Sequence, residues 1–260
     1  YGGHGDLPRI VLAPSHPEEC FHIAAKATNL AERYQCPVFI ASDQALSQNT
    51  ATVNPFSLKG VDINRGQRLE AKALAAMETY KRYEFSDDGV SPFAPPGTPG
   101  GMSLVTGNEH DEFGHVSTDP INRKRMMDKR MSKMQTMLPE LPTAVTHGNE
   151  DSEIGFIGIG STYGVILEAM DLLRERGIST CYHQLRTLWP MLDETIEFTQ
   201  NFRKVYVVEY NATGQLAQLI VGQGGNPQAI GSILKYDCTP MRAAELVGKV
   251  ITDIDKSDLE

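Results

Sequence analysis

The chain has little cysteine, little tryptophan and no long apolar run. Cysteine occurs only at Cys20, Cys36, Cys181 and Cys238, and Trp189 is the single tryptophan in 260 residues. No two cysteines stand in a Cys-x-x-Cys pair, so neither a zinc site nor an iron–sulfur cluster is expected to be carried by this chain alone, and no metal ligand is assigned. Scattered cysteines fit a reducing cytoplasm, which is the expected location. No stretch approaches the roughly 18 apolar residues of a membrane span, and no secretory leader is visible. Positive charge is also scarce. Lys and Arg number 24 against 33 Asp and Glu, a formal net charge of -9, which argues against nucleic acid as a partner. An initiator Met is missing too: Tyr1-Gly2-Gly3-His4-Gly5-Asp6 runs almost directly into the apolar Ile10-Val11-Leu12-Ala13. A buried strand entered so early needs neighbours, so the chain is expected to begin inside a larger fold and to hold only part of an active site.

What is present is an α/β pattern. Residues 9–13 read as a buried strand. His16 to Tyr34 follow with apolar residues at helical spacing (Phe21, Ala24, Ala25, Leu30, Ala31), with Ser15 as expected N-cap and Pro17 in the first turn. Cys36 to Ala41 read as a second buried strand, parallel to the first. Residues 49–101 differ: Pro92, Pro95, Pro96, Gly97, Pro99, Gly100 and Gly101 crowd one end, and Arg65 to Tyr80 offer at best an exposed helix. Such a long excursion is expected to serve a function or meet another subunit. Met102 to Thr106 read as a strand, and Asn122 to Leu138 as an amphipathic helix with Met127, Met131 and Met134 inward. Residues 141–152 read as a linker. From 153 to 260 the strands are 154–159, 178–185, 205–209 and 232–236. The helices between and after them are 163–176, 193–202, 214–221 and 241–251. Continuous apolar strands alternating with helices predict a mostly parallel sheet covered on both faces.

Three places carry titratable or glycine-rich chemistry. Gly158-Ile159-Gly160-Ser161-Thr162-Tyr163-Gly164 joins a strand to a helix, but its glycine spacing is one residue too long for a dinucleotide fingerprint. The acidic residue expected after the next strand is missing as well, so a structural turn is favoured over nicotinamide binding. Glu109-His110-Asp111-Glu112-Phe113-Gly114-His115 packs three acids and two imidazoles into seven residues. Such density suits metal binding, acid–base work, substrate orientation or a solvated turn. Ser42-Asp43 closes the second strand at its carboxyl end, where ligands of open α/β sheets gather. His4-Gly5-Asp6 lies at the opposite end of the first.

Several strings together resemble the α subunit of 2-oxoacid:ferredoxin oxidoreductases, closest to the 2-oxoglutarate branch. They are Gly2 to Pro14, Asn29 to Val38 with Ser42-Asp43-Gln44, Gly107 to His115, and Arg123 to Met131. The resemblance covers nearly the whole chain. It implies the C-terminal part of a thiamine diphosphate pyrimidine-type domain (1–140, with the excursion at 49–101), then the linker, then a transketolase C-terminal-like α/β domain (153–260). It further implies oxidative decarboxylation of a 2-oxoacid to acyl-CoA, with electrons passed to ferredoxin. Thiamine diphosphate and Mg2+ would sit at the interface with a partner β subunit, which would carry the [4Fe–4S] cluster. Coenzyme A would be the co-substrate. On this resemblance His110, Asp111 and Glu112 are assigned to substrate, and His4, Gly5, Asp6, Ser42 and Asp43 to cofactor. No catalytic residue is assigned, because the family's glutamate, threonine and arginine motifs would stand upstream, on a separate chain or segment. Two other readings compete: a non-catalytic assembly subunit of such a complex, and a nicotinamide-dependent oxidoreductase.

Overall fold

The computed structural model describes residues 4–257, the side chains of residues 256 and 257 excepted. The opening Tyr1-Gly2-Gly3 string lies outside them. In chain order the elements are β1 (Ile10–Leu12), α1 (Pro17–Tyr34), β2 (Val38–Ile40), α2 (Gln44–Gln48), α3 (Ala71–Ala75) and α4 (Pro120–Met137). Then come β3 (Val145–Gly148), β4 (Ile154–Gly158), α5 (Thr162–Arg174), β5 (Thr180–Gln184), β6 (Thr187–Trp189), α6 (Asp193–Asn201) and β7 (Lys204–Glu209). α7 (Gln215–Gly222), β8 (Ile230–Leu234) and α8 (Ala243–Ser257) complete it. The chain divides into two compact units. One comprises 1–10, 25–39 and 58–141, and the other 11–24, 40–57 and 142–260. The division passes through β1, α1 and β2.

The second unit is organised by a five-stranded sheet ordered β3–β5–β4–β7–β8. β5, β4, β7 and β8 run parallel, while β3 joins the edge antiparallel to β5. Adjacent residues of a strand face opposite sides, and both sides are covered. Phe156, Tyr206 and Val208 pack with Ile166, Leu173, Leu246 and Val250 on one face. Ile157, Val205 and Val207 pack with Phe198, Phe202, Leu216 and Ile220 on the other. Burial on both faces is why β4 and the middle of β7 are apolar or glycine on both sides rather than alternating. β5 is buried as completely but reads Thr-Cys-Tyr-His-Gln, with His183 paired to Thr195 and Gln184 to Glu19. The small sheet is ordered β2–β1–β6, with Val11 opposite Trp189 and Leu12 opposite Thr187 in antiparallel register. Ile10 N–H donates to Pro37 C=O, and Ala41 N–H donates to Leu12 C=O. These bonds advance in the same direction along β1 and β2, which is the expected parallel sense.

Several sequence expectations are corrected. The stretch read as a linker contains β3, whose four residues are alternately half-buried and exposed as suits an edge strand. β6 follows β5 after only two residues and was not anticipated. β2 is not a buried strand: Phe39 is 53% and Ile40 43% exposed, because β2 closes the edge of its small sheet. Ser15 is not the cap of α1. The His16 ring accepts from Glu19 N–H, and the Glu19 carboxylate reaches back to Ser15 N–H at 2.7 Å. Met102 to Thr106 form no strand, and Met102, Leu104 and Val105 are exposed. The exposed helix expected over 65–80 shrinks to the five residues of α3.

The first unit keeps order with little regular structure. α4 begins at Asp119, whose carboxylate accepts from Ile121 N–H, with Pro120 in the first helical position. Its inward face is Met126, Lys133, Met134 and Met137; Met131 points outward. The methionine stripe expected at 127, 131 and 134 is therefore rotated, and a lysine is turned inward. That lysine is Lys133; Lys129, half-buried one turn earlier on α4, is held by polar groups of the excursion and its neighbours. Lys129 Nζ donates to Tyr83 C=O at 2.7 Å and to Ser91 Oγ. Gln35 Nε2 donates to Ser91 C=O, and Arg82 donates to Gln35 Oε1. Burial, with Lys133 and Arg82 nearby, pushes the Lys129 amine down to about 8.

Candidate functional site

The acidic string folds into a tight hairpin anchored at its base and at its tip. Ser117 N–H donates to Glu109 C=O, and Asp111 N–H donates to His115 C=O, each at 2.9 Å. His110 and Val116 pair antiparallel between them. At the tip Gly114 N–H donates to Asp111 C=O. Gly114 has φ +93, and a Cβ there would overlap the Leu104 carbonyl, so glycine is required. Asp111 Oδ1 accepts from Phe113 N–H at 2.9 Å and His115 N–H at 3.0 Å, an Asx turn that pre-forms the tip. Burial works against the charged form, but these backbone bonds and His115 hold the Asp111 carboxyl below its ordinary range.

The carboxylates do not converge. Glu109 accepts from Arg130 at 2.7 and 3.1 Å and from Arg123. Glu112 Oε1 accepts from Phe85 N–H, its Oε2 lies 3.4 Å from Lys81, and its backbone carbonyl accepts from Tyr83 N–H. Asn122 Nδ2 donates to His110 C=O. The crowding that suggested an external ligand is thus relieved internally by Arg123, Arg130 and Lys81. What the hairpin still offers is Asp111 Oδ2, 3.5 Å from His115 Nδ1, and the His110 ring. That ring lies 4.1 Å from the Tyr83 ring. Its Nδ1 is 2.9 Å from Asn108 C=O. A carbonyl only accepts, so Nδ1 carries hydrogen and Nε2 is the free ring position.

The residues assigned to cofactor are placed differently. His4, Gly5 and Asp6 are exposed. Ser42 Oγ lies 2.8 Å from Ser47 Oγ on an exposed turn. Asp43 is spent on structure: Oδ1 caps α2 through Leu46 N–H, and Oδ2 accepts from Ser161 N–H at 2.7 Å. Gly160, at φ +58, has no room for a Cβ against that carboxylate. The start of α5, the anion seat that a dinucleotide phosphate would take, is filled by the chain's own Asp43, which removes the support for nicotinamide binding. Among the described residues no three His, Cys, Asp or Glu side chains gather as metal ligands would. The five cofactor residues do not by themselves fit a diphosphate or its cation.

One buried polar centre escaped the sequence reading. Glu19 is 7% exposed and accepts from Ser15 N–H and from Gln184 Nε2 at 3.1 Å, with Arg186 at 3.7 Å. The Glu18-Glu19 pair at a helix start was a visible signal, but the side-chain partners of Glu19, Gln184 and Arg186, are 165 and 167 residues away.

The architecture defines a mixed α/β protein that combines an excursion-bearing unit with a mostly parallel, doubly covered sheet. Comparison with known proteins narrows this. Residues 4–129 match the thiamine diphosphate-binding domain of pyruvate flavodoxin/ferredoxin oxidoreductases, and residues 152–226 match core domain II of pyruvate:ferredoxin oxidoreductase. The 2-oxoacid:ferredoxin oxidoreductase 2 α subunit of Aeropyrum pernix is 35% identical over 96% of this chain and 39% of its own length. The 2-oxoglutarate oxidoreductase subunit KorA of Mycobacterium tuberculosis is 32% identical over 86% of this chain and 33% of its own. A solved 2-oxoglutarate:ferredoxin oxidoreductase from Magnetococcus marinus, with 2-oxoglutarate, coenzyme A and succinyl-CoA bound, superposes with a TM-score of 0.89 at 33% identity. That match covers 97% of this chain and 43% of the solved one. The chain belongs to the 2-oxoacid:ferredoxin oxidoreductase α-subunit family. It spans about two fifths of the length of the relatives named first. No helix among the described residues is long and apolar enough to cross a membrane.

Proposed function

We propose that the chain acts as a portion of the α subunit of a 2-oxoglutarate:ferredoxin oxidoreductase in the cytoplasm. The reaction is oxidative decarboxylation of 2-oxoglutarate to its acyl-CoA, with electrons passed to ferredoxin. The observation that carries this reading is the likeness to the Magnetococcus marinus enzyme over nearly the whole chain. The KorA-type relatives support 2-oxoglutarate over other 2-oxoacids. A β subunit partners the chain and holds the [4Fe–4S] cluster. Thiamine diphosphate and Mg2+ lie at the interface with it, since the donors of this chain do not make that site alone. A further segment or chain supplies the threonine, arginine and glutamate motifs.

Within this reading the hairpin at 109–117 lines the substrate entrance, with His110 facing substrate and Asp111 beside it. Glu112, first assigned to substrate, acts by fixing the hairpin tip to residues 81–85. Asp111 does not meet a dianion directly, because like charges repel. It orients His115 and the tip backbone, and His110, its Nδ1–H held by Asn108 C=O, meets the substrate's distal carboxylate by donating from Nε2–H as the imidazolium. The test is the assembled enzyme, assayed with coenzyme A and ferredoxin on 2-oxoglutarate and on pyruvate. Asp111→Asn is expected to change the ratio of kcat/KM for the two substrates by about tenfold. Wild-type values for both substrates would sink the site assignment. Pyruvate preferred by the wild type would sink the choice of substrate.

An assembly subunit is the second reading, favoured by the internal use of Glu109 and Glu112 as anchors. It requires every hairpin substitution to leave the kinetics untouched.

A further inference from the structure

We propose that Glu109 is a positioning residue for the substrate hairpin, acting through its grip on Arg123 and Arg130; this rests on the reading of the hairpin given above. The geometry is a fork on a carboxylate. Arg130 Nη1 meets Oε1 at 3.1 Å and Nη2 meets Oε2 at 2.7 Å, while Arg123 Nη1 closes on Oε2 from the side. Paired guanidinium bonds fix direction as well as distance, which a single contact does not. Arg123 and Arg130 stand seven residues apart on α4, two helical turns, and so share one helix face. That face is rigid: the same helix buries Met126, Met134 and Met137.

The pairing is shielded. The Glu109 side chain is 18% exposed and Arg130 26%, so solvent screens this bridge less than an ordinary surface pair. Burial pushes the Glu109 carboxyl up, yet the bonds from Arg130 and Arg123 outweigh it and hold the group below its usual range. Glu109 remains the charged partner at working pH.

The leverage lies in the register. His110 follows Glu109 directly and Asp111 is one residue further, and both belong to the hairpin arm that Glu109 begins. Rotation of Glu109 on α4 would swing the His110 ring and the Asp111 carboxylate together. The remaining anchors differ in kind. Asn122 gives one bond to the His110 carbonyl, and Glu112 ties the tip to Phe85 N–H and Lys81. They retain the hairpin when Glu109 is neutralised, but leave its base free to turn. The expected signature is poorer substrate positioning without unfolding.

The test uses the complete enzyme assembled with its partner subunit and compares Glu109→Gln, Arg130→Met, their double mutant, Arg123→Met and Asp111→Asn. Glu109→Gln should raise KM for the 2-oxoacid about tenfold, with kcat reduced less than about threefold. Arg123→Met removes only the outer arm and should raise KM about threefold. The double mutant at 109 and 130 should be no worse than the poorer single one, because both act through one contact. If Asp111→Asn alters the kinetics while Glu109→Gln does not, the positioning role is overturned and the hairpin reading stands. If neither moves KM or kcat, the hairpin reading falls and takes the positioning role with it. A parallel loss of kcat and of Tm in Glu109→Gln would show a merely structural role and overturn the proposal. Should Glu109→Gln fail to assemble, the KM of Arg123→Met decides: an unchanged value overturns the proposal.

Discussion

The doubly covered sheet of residues 145–257 and the stretch of residues 58–141, which holds most of the excursion together with α4, reach order by opposite routes. In the sheet, side chains such as Phe156, Leu173, Val207 and Ile220 are removed from water on both faces. Burial of that kind stabilises by roughly 1.5–3 kcal/mol per large side chain and needs no specific partner. In the excursion few apolar groups are fully buried. Lys129 joins Tyr83 to Ser91, Gln35 joins Ser91 to Arg82, and Glu112 joins Phe85 to Lys81. Arg125 lies 4.2 Å from the centre of the Phe85 ring, and Arg82 5.5 Å from that of Phe93. Each such link is individually modest. A segment rich in glycine and proline can thus be ordered by side chains that reach backbone groups. An anchored hairpin can sit upon it.

The largest expected effect breaks the sheet. Phe156→Ala removes a fully buried ring packed between α5 and β7, and should cost about 3–5 kcal/mol in urea unfolding. A loss below about 1 kcal/mol would contradict the packing described.

The two regions should also respond to pH with the same sign but in separate windows, stability rising with pH in each. His183, buried beside Phe198 with Thr195 at 3.0 Å, is pushed down to about 4 by burial. The folded state therefore prefers the neutral ring. Its contribution is present above pH 6.5 and is lost as pH falls through 4, about 3 kcal/mol in all. Lys129 is likewise preferred neutral, with an amine near 8. Between pH 8 and about 10 the unfolded chain binds more protons at this site, so stability rises across the window, by about 2 kcal/mol after solvent screening. Denaturation curves of His183→Gln and Lys129→Met against the wild type isolate the two terms. Each variant should flatten the wild-type slope in its own window only. Hydrogen exchange should place the acid loss in the sheet and the alkaline gain in the excursion.

The smallest effect sharpens the account of the excursion. Arg125→Ala removes one cation–ring contact and should cost about 0.5–1 kcal/mol, read as faster amide exchange at 83–91 with the sheet unchanged. Equal protection throughout would mean that the polar links are decoration.

Apolar periodicity by itself determined the alternation from Ile154 onward, β6 excepted. It did so because strands buried on both faces are rich in apolar residues and their helices must carry one apolar stripe. The Glu109–His115 string was visible as a concentration of charge, and the family resemblance gave it a reading. Which of its carboxylates were already taken was decided only in three dimensions. Arg123 and Arg130 are 14 and 21 residues beyond Glu109, and Lys81 is 31 before Glu112. Composition cannot pair them. The same distance explains the remaining differences. β3 and β2 are short edge strands defined by neighbours rather than by their own pattern. Lys129 faces inward because Tyr83 and Ser91, 46 and 38 residues earlier, present an oxygen each to its amine. Local periodicity records how much apolar surface an element must hide. Where a charged group finds its partner is a property of the folded chain.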